Sequence, residues 1–483
     1  MFKVVRIVHS YFFYILLHVI VIAYLQGCVK YDIESVSINQ DYDVSPLSFC
    51  VISDLHFGNS VGEGPMHKVP LALRNITSQG SFDAMILLGD LTNAGRRDEY
   101  NQLIKVFEDK SNFIYPVDCF LFMMGNHDNY SISARYIYQK SLKPFNSGES
   151  YPLRTYSVIK GYPFITVSML SSSNNDITDP SAGTEAYPDD TVDWLALRME
   201  RAQKECPGKP IFVFTHMPPR WTTYGTWSEY GNGEAWCMKV LNPVLNKYPQ
   251  AVVFSGHTHY PIGDPRSIHQ GANPDSKRQN YYTVINTSST SYCEIPYGVV
   301  DDGVIPFGYD CVTEGLIVNE LANGDIEIRR YDTYRNEEIS PDSRWILKAP
   351  FDGSQFTYAD LRDADDNPLG KVLYDGKPAP CFSEDSSIAL ETNSSYVTVT
   401  FPQAADNDCV FRYSVVVKDM ELNEEVATAS VFSLFYLNSD MPKTLSRTFD
   451  GLVQGKEYSI EVRAYDSYEN ASTPLCTVFR TAE

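Results

Sequence analysis

Five short apolar runs, each followed at once by a polar cluster, constrain the fold of this chain more than any other feature. The runs span residues 49–52, 84–88, 119–124, 211–214 and 251–254. They are apolar without alternation, as strands buried on both faces of an α/β sheet are. Helical spacing recurs between them, at Tyr100, Leu103, Ile104 and Phe107, and again over 191–204. The pattern predicts an α/β core with its chemistry at the carboxyl ends of the strands.

The polar clusters concentrate the histidines of the chain. They read Asp54-Leu55-His56, Gly89-Asp90, Gly125-Asn126-His127-Asp128, Thr215-His216 and Gly256-His257-Thr258-His259. Taken singly, each is typical of a hydrogen-bonded loop. Seven histidines follow residue 27, however, and five of them lie in these clusters. The remaining two, His67 and His269, are interpreted as surface or loop residues.

In their order and spacing the clusters resemble the signature of the calcineurin-like metallophosphoesterase family, which runs DxH, GD, GNHD, a lone His and GHTH. The resemblance covers about residues 45–340. It implies a four-layer αββα sandwich, with two metal ions at the edge where the strand ends meet. It also implies that the substrate is a small phosphate ester.

The resemblance also assigns ligands to two metal ions. The first ion would be held by Asp54, His56, Asp90 and His259, and Asp90 would bridge to the second, held by Asn126, His216 and His257. Neutral imidazoles and hard oxygens, without thiolates, suit Mn, Fe or Zn. A shared carboxylate can hold two dications close enough to bridge one hydroxide and clamp a phosphate. Glycines precede Asp90, Asn126 and His257, where a side chain would obstruct the site.

His127 has a different implied role. In the family this histidine is not a ligand but faces the substrate, where it can protonate the leaving oxygen. Two interpretations of Asp128 stay open. Its carboxylate orients His127 and keeps the ring charged, or it only caps the following helix.

Departures from relatives indicate the branch of the family. Asp90 is followed by Leu91-Thr92-Asn93-Ala94. This segment lacks the arginine of the GDxxDRG motif of protein phosphatases. It also has Asn93 where purple acid phosphatases have a tyrosine ligand. Gly89-Asp90-Leu91-Thr92, with Gly95 and Glu99-Tyr100, resembles the cyclic-nucleotide and glycerophosphodiester phosphodiesterases.

We therefore expect hydrolysis of a nucleotide or lipid-head-group phosphodiester, by attack of a metal-bridging hydroxide with His127 as general acid. A phosphomonoesterase or nucleotidase is the alternative on the same site. A surface binding protein with a relic core is an alternative of a different class, and the complete ligand set argues against it.

An aromatic loop follows His216. Arg220-Trp221-Thr222-Thr223-Tyr224 precedes Trp227, Tyr230 and Trp236. These side chains either pack for burial or line a pocket that stacks on a flat group. Arg220 and Arg266 are candidates to contact phosphate oxygens, or equally ion-pair residues.

The pattern changes after about Trp345. Residues 348–376 are interpreted as a connector, and residues 377–483 as a β-sandwich because two faces alternate, with Tyr396, Thr398 and Thr400 on one and Val397, Val399 and Phe401 on the other. Leu452, Gly455 and Tyr458 resemble the tyrosine corner of fibronectin type III domains. The phosphoesterase domain is placed at 45–347.

The N-terminus is interpreted as an export signal. Lys3 and Arg6 precede an apolar stretch over 11–24, and Leu25-Gln26-Gly27-Cys28 resembles the lipobox of bacterial lipoproteins. Residues 1–27 would then be a signal peptide and 28–44 a tether, with Cys28 anchored in a bacterial membrane, facing the periplasm or the cell surface. An ordinary signal peptide or an uncleaved anchor is the alternative.

Charge and cysteine usage exclude other classes. The net charge is −22, which argues against a binder of nucleic-acid polymers because such a surface repels a phosphate backbone. No Cys-x-x-Cys pair occurs among the ten cysteines, which removes thiolate zinc sites. Cys50 and Cys119 lie in apolar runs and are predicted to be buried thiols.

Overall fold

Two mixed β-sheets, a set of flanking helices and a separate all-β sandwich make up the computed structural model. It describes residues 45–171, 186–220, 222–226, 237–271, 281–295, 301, 305–358 and 378–483. The helices are α1 (Pro65–Thr77), α2 (Arg97–Glu108), α3 (Ala134–Ser141), α4 (Asp189–Glu205) and α5 (Asn242–Leu245). The cluster-bearing strands are β1 (Ser48–Ile52), β2 (Ala84–Leu88), β3 (Phe120–Met123), β6 (Ile211–Thr215) and β7 (Ala251–Ser255).

The first sheet has β1, β2 and β3 as parallel neighbours, with Val51 of β1 opposite Ile86 of β2. Four later strands extend it, namely β10 (Glu314–Glu320), β11 (Ile326–Asp332), β12 (Glu337–Ile339) and β13 (Trp345–Leu347). β10 pairs antiparallel with β1, and the sheet order is β12-β11-β10-β1-β2-β3, with β13 also on β11. The carboxyl ends of β1, β2 and β3 therefore meet at one edge.

The second sheet contains β6, β7 and four further strands, β4 (Arg154–Ile159), β5 (Tyr162–Val167), β8 (Ile268–Gln270) and β9 (Thr283–Asn286). Its strand order is β4-β5-β6-β7-β9-β8. β5, β6, β7 and β9 run parallel, whereas β4 and β8 are antiparallel edge strands. The carboxyl ends of β6 and β7 thus lie side by side.

The two sheets pack face to face through aromatic side chains. The Phe49 ring lies 5.0 Å from that of Phe164 and 4.9 Å from that of Phe212, edge to face in both cases. Helices α1, α2 and α3 pack in the hydrophobic core with the first sheet. Helices α4 and α5 pack against the outer face of the second sheet, where Val213 and Val253 lie. The layers follow the αββα order that the resemblance implies.

The C-terminal strands form a sandwich of a three-stranded and a four-stranded antiparallel sheet. The strands are β14 (Ala389–Thr392), β15 (Tyr396–Pro402), β16 (Val410–Asp419), β17 (Glu424–Phe432), β18 (Thr444–Asp450), β19 (Glu457–Asp466) and β20 (Leu475–Arg480). Val397, Val399 and Phe401 are buried, as the alternation of β15 predicts. The Tyr458 hydroxyl accepts a hydrogen bond from the Val453 N–H at 2.9 Å, which is the contact expected of a tyrosine corner.

The sandwich packs against the phosphoesterase-like core. Phe411 and Tyr436 of the sandwich share one hydrophobic cluster with Tyr224, Tyr260 and other core residues. A polar contact adds to this, because the Asn438 side chain donates to the Asp332 carboxylate at 2.9 Å.

Several smaller predictions are settled by the same structure. Cys50 and Cys119 are buried free thiols, as predicted. His67 is exposed beside Glu63, as predicted, but His269 is 5% exposed within β8, so its interpretation as a surface or loop residue was wrong. None of the described helices is long and apolar enough to cross a bilayer. The predicted export signal, Cys28 and the predicted tether lie outside the described residues, as does most of the predicted connector.

Candidate metal centre

The loops after five strands bring the predicted ligands to one place. Asp54 and His56 follow β1, Asp90 follows β2, and Asn126 follows β3. His216 comes directly after β6, and His257 and His259 come after β7. The loops after β1 and β2 are tied together because the His56 N–H donates to the Asp90 carbonyl oxygen at 2.9 Å.

Five of these residues have left-handed backbone, with φ between 45° and 69°: Asp54, His56, Asp90, His257 and His259. Residues with a Cβ seldom adopt this conformation, which costs of order 1–2 kcal/mol each. The sharp turn reverses the chain at the strand end and directs the side chain across the sheet edge. Local strain of this kind collects at functional sites when the surrounding structure holds it in place.

Two glycines allow the loops to approach each other closely. A Cβ on Gly125 would lie 2.7 Å from the His216 ring, and one on Gly256 would lie 2.4 Å from the Asp54 carboxylate. Either distance is far inside van der Waals contact. Any side chain at these positions would push the candidate ligands apart.

The first group of candidate ligands is Asp54, His56, Asp90 and His259, whose ligand atoms lie within 4.8 Å of one another. The Asp54 Oδ1 lies 3.0 Å from His259 Nε2, and the Nε2 atoms of His56 and His259 are 3.2 Å apart. All four residues are buried. The other Asp54 oxygen accepts from the His257 N–H at 3.1 Å, which fixes the carboxylate.

The second group shares Asp90 and adds His216 and His257 within the same 4.8 Å. The Asp90 Oδ2 lies 3.3 Å from His216 Nε2, while Oδ1 accepts from the His127 N–H at 2.8 Å. The Asn126 side-chain oxygen lies 3.1 Å from His216 Nε2, so Asn126 joins this group. Asp90 thus stands between the two groups, where a bridging ligand would stand.

The tautomers of two histidines test whether the site fits metal ions. His216 Nδ1 lies 2.8 Å from the Leu88 carbonyl oxygen, and His259 Nδ1 lies 3.1 Å from that of Tyr292. A carbonyl oxygen only accepts, so each Nδ1 carries a hydrogen and Nε2 is the ring nitrogen left to bind a cation. These Nε2 atoms face carboxylate oxygens at 3.3 and 3.0 Å. Such short contacts need positive charge, which either a proton on Nε2 or a divalent ion supplies, so the donor set fits metal ions.

The pKa values describe the same charge balance. Burial lowers the pKa of His56 and of His257 to about 3, so both rings are neutral and available as ligands. Burial also acts to lower the pKa of His216, but the charges of Asp90 and Asp54 outweigh it and raise the value to about 9. The carboxylates therefore attract whichever cation enters, a proton or a metal ion.

His127 lies beside the ligands, with its ring 4.7 Å from that of His56. The structure corrects the expectation for its neighbour, because Asp128 does not orient the ring. The Asn93 carbonyl oxygen does so, at 2.9 Å from His127 Nδ1. A fixed Nδ1–H leaves Nε2 as the ring nitrogen that can exchange a proton with a substrate.

Asp128 instead ties the loops after β2 and β3 together, and does not cap α3. Its buried carboxylate accepts hydrogen bonds from the N–H groups of Gly125, Leu91 and Thr92 and from the hydroxyls of Thr92 and Tyr100, at 2.7–3.1 Å. Burial and the nearby Asp90 charge raise the pKa of Asp128 to about 6, against the effect of these hydrogen bonds.

Arg266 and Tyr224 have structural roles. Arg266 forms a two-pronged ion pair with buried Asp264, at 2.7 and 3.0 Å, so it is an ion-pair residue and not a phosphate ligand. Arg220 is buried close to Cys237. Tyr224 is buried between Tyr260 and Arg266, as the packing interpretation predicts. Trp221, Trp227, Tyr230 and Trp236 lie outside the described residues.

Sequence reasoning missed three side chains that border the centre. The Tyr292 ring lies 4.3 Å from that of His259, and the Tyr130 ring lies 4.7 Å from that of His127. The Glu294 carboxylate interacts electrostatically with His259 and His127. Tyr130 could have been found from its position directly after the GNHD cluster. Tyr292 and Glu294 carried no signal, because they follow no predicted strand.

Comparison with protein families decides what this domain is. A family model for calcineurin-like phosphoesterases matches residues 47–261, the segment that contains all the candidate ligands. Residues 47–261 form a calcineurin-like phosphoesterase domain. The phosphoesterase domain is that of a metal-dependent enzyme, and its buried Asp and His side chains form the metal-binding cluster. No curated protein sequence matches the chain.

A second family model, described as the ILCR1 Ig-like domain, matches residues 382–483. This match supports an all-β sandwich, which Ig-like and fibronectin type III domains share, and does not confirm the fibronectin type III assignment.

Solved structures resemble each part of the chain. A purple acid phosphatase from yellow lupin seeds is 10% identical with a TM-score of 0.43, covering 63% of this chain and 54% of its own, so about half of its length is spanned. Domains d3–d4 of rat CD45 are 18% identical with a TM-score of 0.17, covering 22% of this chain and 51% of theirs. The fn3 domain of human contactin 1 is 19% identical with a TM-score of 0.16, covering 22% and 78%.

Proposed function

We propose that this chain hydrolyses a small phosphodiester at the Asp/His cluster, with His127 as the general acid. The observation that carries the proposal is the shared position of Asp90 between two groups of closely spaced ligands. When bound there, two metal ions, for which Mn, Fe and Zn are the candidates, neutralise phosphate oxygens and activate water.

The chain's own residues supply positioning and proton transfer. Asp54, His56, Asp90 and His259 are proposed to hold one ion, and Asp90, Asn126, His216 and His257 the other. His127, held through Nδ1 by the Asn93 carbonyl, is proposed to give the proton on Nε2 to the departing ester oxygen.

A diester suits the charge of the site better than a monoester. A diester carries one negative charge, whereas a monoester carries nearly two and gains more from additional cations. Arg266 is paired with Asp264, and Arg220 is buried beside Cys237. Arg266 is therefore not offered to a phosphate.

A panel of esters tests the proposal. The purified protein, loaded in turn with Mn, Zn and Fe, is assayed on p-nitrophenyl phosphate, its bis-ester and cyclic nucleotides. We expect the bis-ester or a cyclic nucleotide to give the highest kcat/KM. A higher kcat/KM on the monoester would assign a monoesterase, and inactivity with every metal would favour a binding protein with a relic core.

We also propose that the protein is exported and anchored to a bacterial membrane by lipid on Cys28. Support comes from the sequence Leu25-Gln26-Gly27-Cys28, at the end of an apolar stretch that two basic residues precede.

A further inference from the structure

Two tyrosines border the histidines of the metal centre. The Tyr292 ring lies 4.3 Å from that of His259 and 5.8 Å from that of His56. The Tyr130 ring lies 4.7 Å from that of His127 and is 52% exposed. Because the His56 and His127 rings also contact each other, the two phenol rings lie at the two ends of a row of imidazoles.

Glu294 lies on the same side of its segment as Tyr292. Ser291, Cys293 and Ile295 are buried, whereas Tyr292 and Glu294 are only partly buried, which is the alternation of an extended chain. The Glu294 N–H donates to the His259 carbonyl oxygen at 3.0 Å, which fixes this segment beside the GHTH loop. The carboxylate interacts with the charges of His259, Asp54 and His127.

Among the described residues, the positive groups that act on the Glu294 carboxylate are the rings of His259 and His127. A carboxylate that is partly removed from water gains from a further positive charge brought to it. The net charge of −22 attracts cationic ligands to the molecule as a whole.

Aromatic faces and a carboxylate together have a defined ligand preference. The face of a tyrosine ring attracts a cation, and quaternary ammonium groups are recognised by such rings. A neutral base would stack on the rings but gain nothing from Glu294, and a second anion would be repelled by it. The chemistry of these three side chains therefore favours an ammonium group over a nucleobase.

We propose that Tyr130, Tyr292 and Glu294 form a subsite for an ammonium group carried by one ester arm of the phosphodiester substrate. The inference rests on the proposed function, because it places the phosphate of that substrate at the metal cluster. It narrows the substrate class to diesters of choline or amino alcohols.

Two substrates that differ in one atom test the subsite. They are p-nitrophenyl phosphocholine and the p-nitrophenyl ester of 3,3-dimethylbutyl phosphate, in which carbon replaces the ammonium nitrogen. Both release the same nitrophenolate, so a difference in kcat/KM reports the positive charge alone. We expect the choline ester to be favoured by about tenfold or more. Equal values, or a preference for the neutral ester, would overturn the proposal.

Variants assign the preference to these residues. Glu294→Gln and Tyr130→Leu should each lower the ratio of the two kcat/KM values by several-fold, whereas Tyr292→Phe should keep it because the aromatic face remains. Glu200→Gln, which removes a charge from the exposed face of α4, is the matched control and should leave the ratio unchanged. A ratio unaffected by Glu294→Gln would remove Glu294 from the subsite.

A binding measurement separates this proposal from the proposed function. Calorimetric titration of tetramethylammonium into the metal-loaded protein should show saturable binding that Glu294→Gln weakens. Hydrolysis of the bis-p-nitrophenyl ester without ammonium binding or preference would reject the subsite alone. Ammonium binding in a protein that hydrolyses no ester would reject the proposed function alone.

Discussion

At the residue scale, Asp90 is the carboxylate that both ligand groups share, with Oδ2 facing His216 and Oδ1 accepting from the His127 N–H. We predict that Asp90→Asn removes both metal ions and abolishes activity, since a neutral amide cannot balance two dications. Metal analysis of the purified variant decides this. Asp98→Asn, an exposed carboxylate on α2, is the matched control. Two ions retained at wild-type affinity would contradict the bridging role.

His127 is predicted to act on the leaving group and not on the metals. His127→Ala should keep its metal content and lose rate by roughly 10²–10⁴, as removal of a general acid does. The loss should be smaller for nitrophenyl esters than for alkyl esters, because nitrophenolate departs without a proton. Equal losses for both leaving groups would show that His127 only positions the phosphate.

The residue types of the centre were predictable from the sequence, whereas the contacts behind them were not. The resemblance to the family assigned Asp54, His56 and Asp90 to one site, and the structure places them together after two neighbouring strands. The carbonyl that holds His127 belongs to Asn93, and a backbone oxygen leaves no trace in the residue type. Asp128 was one candidate to orient the ring of His127, the preceding residue. That interpretation failed because proximity in the sequence does not determine the direction of a side chain.

At the element scale, Asp128 joins the loops after β2 and β3. We predict that Asp128→Asn lowers the free energy of unfolding by about 1–3 kcal/mol, since its amide group would face N–H donors and leave them unsatisfied. Tyr100→Phe, which deletes one of the five hydrogen bonds, should cost about 1 kcal/mol. Denaturant unfolding of the metal-free proteins measures both. A smaller loss for Asp128→Asn than for Tyr100→Phe would contradict this role.

Strands were predictable where they are continuous and apolar, and harder to place elsewhere. β1, β2, β3, β6 and β7 are buried on both faces and were predicted within one or two residues. β10 and β11 return antiparallel to β1, a pairing set by tertiary contacts and not by local pattern. His269 resembled a loop residue because β8 is only three residues long.

At the scale of the whole molecule, the sandwich is packed against the phosphoesterase domain and is not a detached spacer. The Arg266 guanidinium lies 3.7 Å from the centre of the Tyr224 ring and 4.7 Å from that of Phe411. The Tyr224 ring in turn lies 4.5 Å from that of Tyr260, the residue after His259. A buried path of contacts thus runs from the sandwich to the GHTH loop.

We predict that Phe411→Ala lowers the free energy of unfolding by about 3–5 kcal/mol, the usual effect of deleting a buried phenylalanine. Phe411 contacts residues of both the sandwich and the phosphoesterase domain. The variant should therefore also weaken the coupling between these two domains and separate their unfolding transitions in calorimetry. Val478→Ala, at a half-exposed position of β20, is the control and should change little. Wild-type stability in Phe411→Ala would show that the sandwich and the phosphoesterase domain do not stabilise each other through this contact.

The proposed anchor predicts where the whole molecule partitions. Full-length protein should enter the detergent phase, because each buried methylene of a lipid chain contributes about 0.8 kcal/mol. Cys28→Ser should release the protein or leave an uncleaved precursor, with the activity of the phosphoesterase domain intact. Phase partitioning and mass spectrometry measure this. A Cys28→Ser protein that is processed normally and still membrane-bound would indicate an ordinary hydrophobic anchor.

The left-handed backbone at Asp54, His56, Asp90, His257 and His259 has a consequence for how this sequence can change. Glycine adopts that conformation without steric penalty, and it would also remove a buried charge or imidazole. At these positions, a substitution by glycine therefore destroys the metal centre and at the same time relieves the steric strain of the left-handed backbone. Metal binding and backbone stability therefore make opposite demands at these five positions.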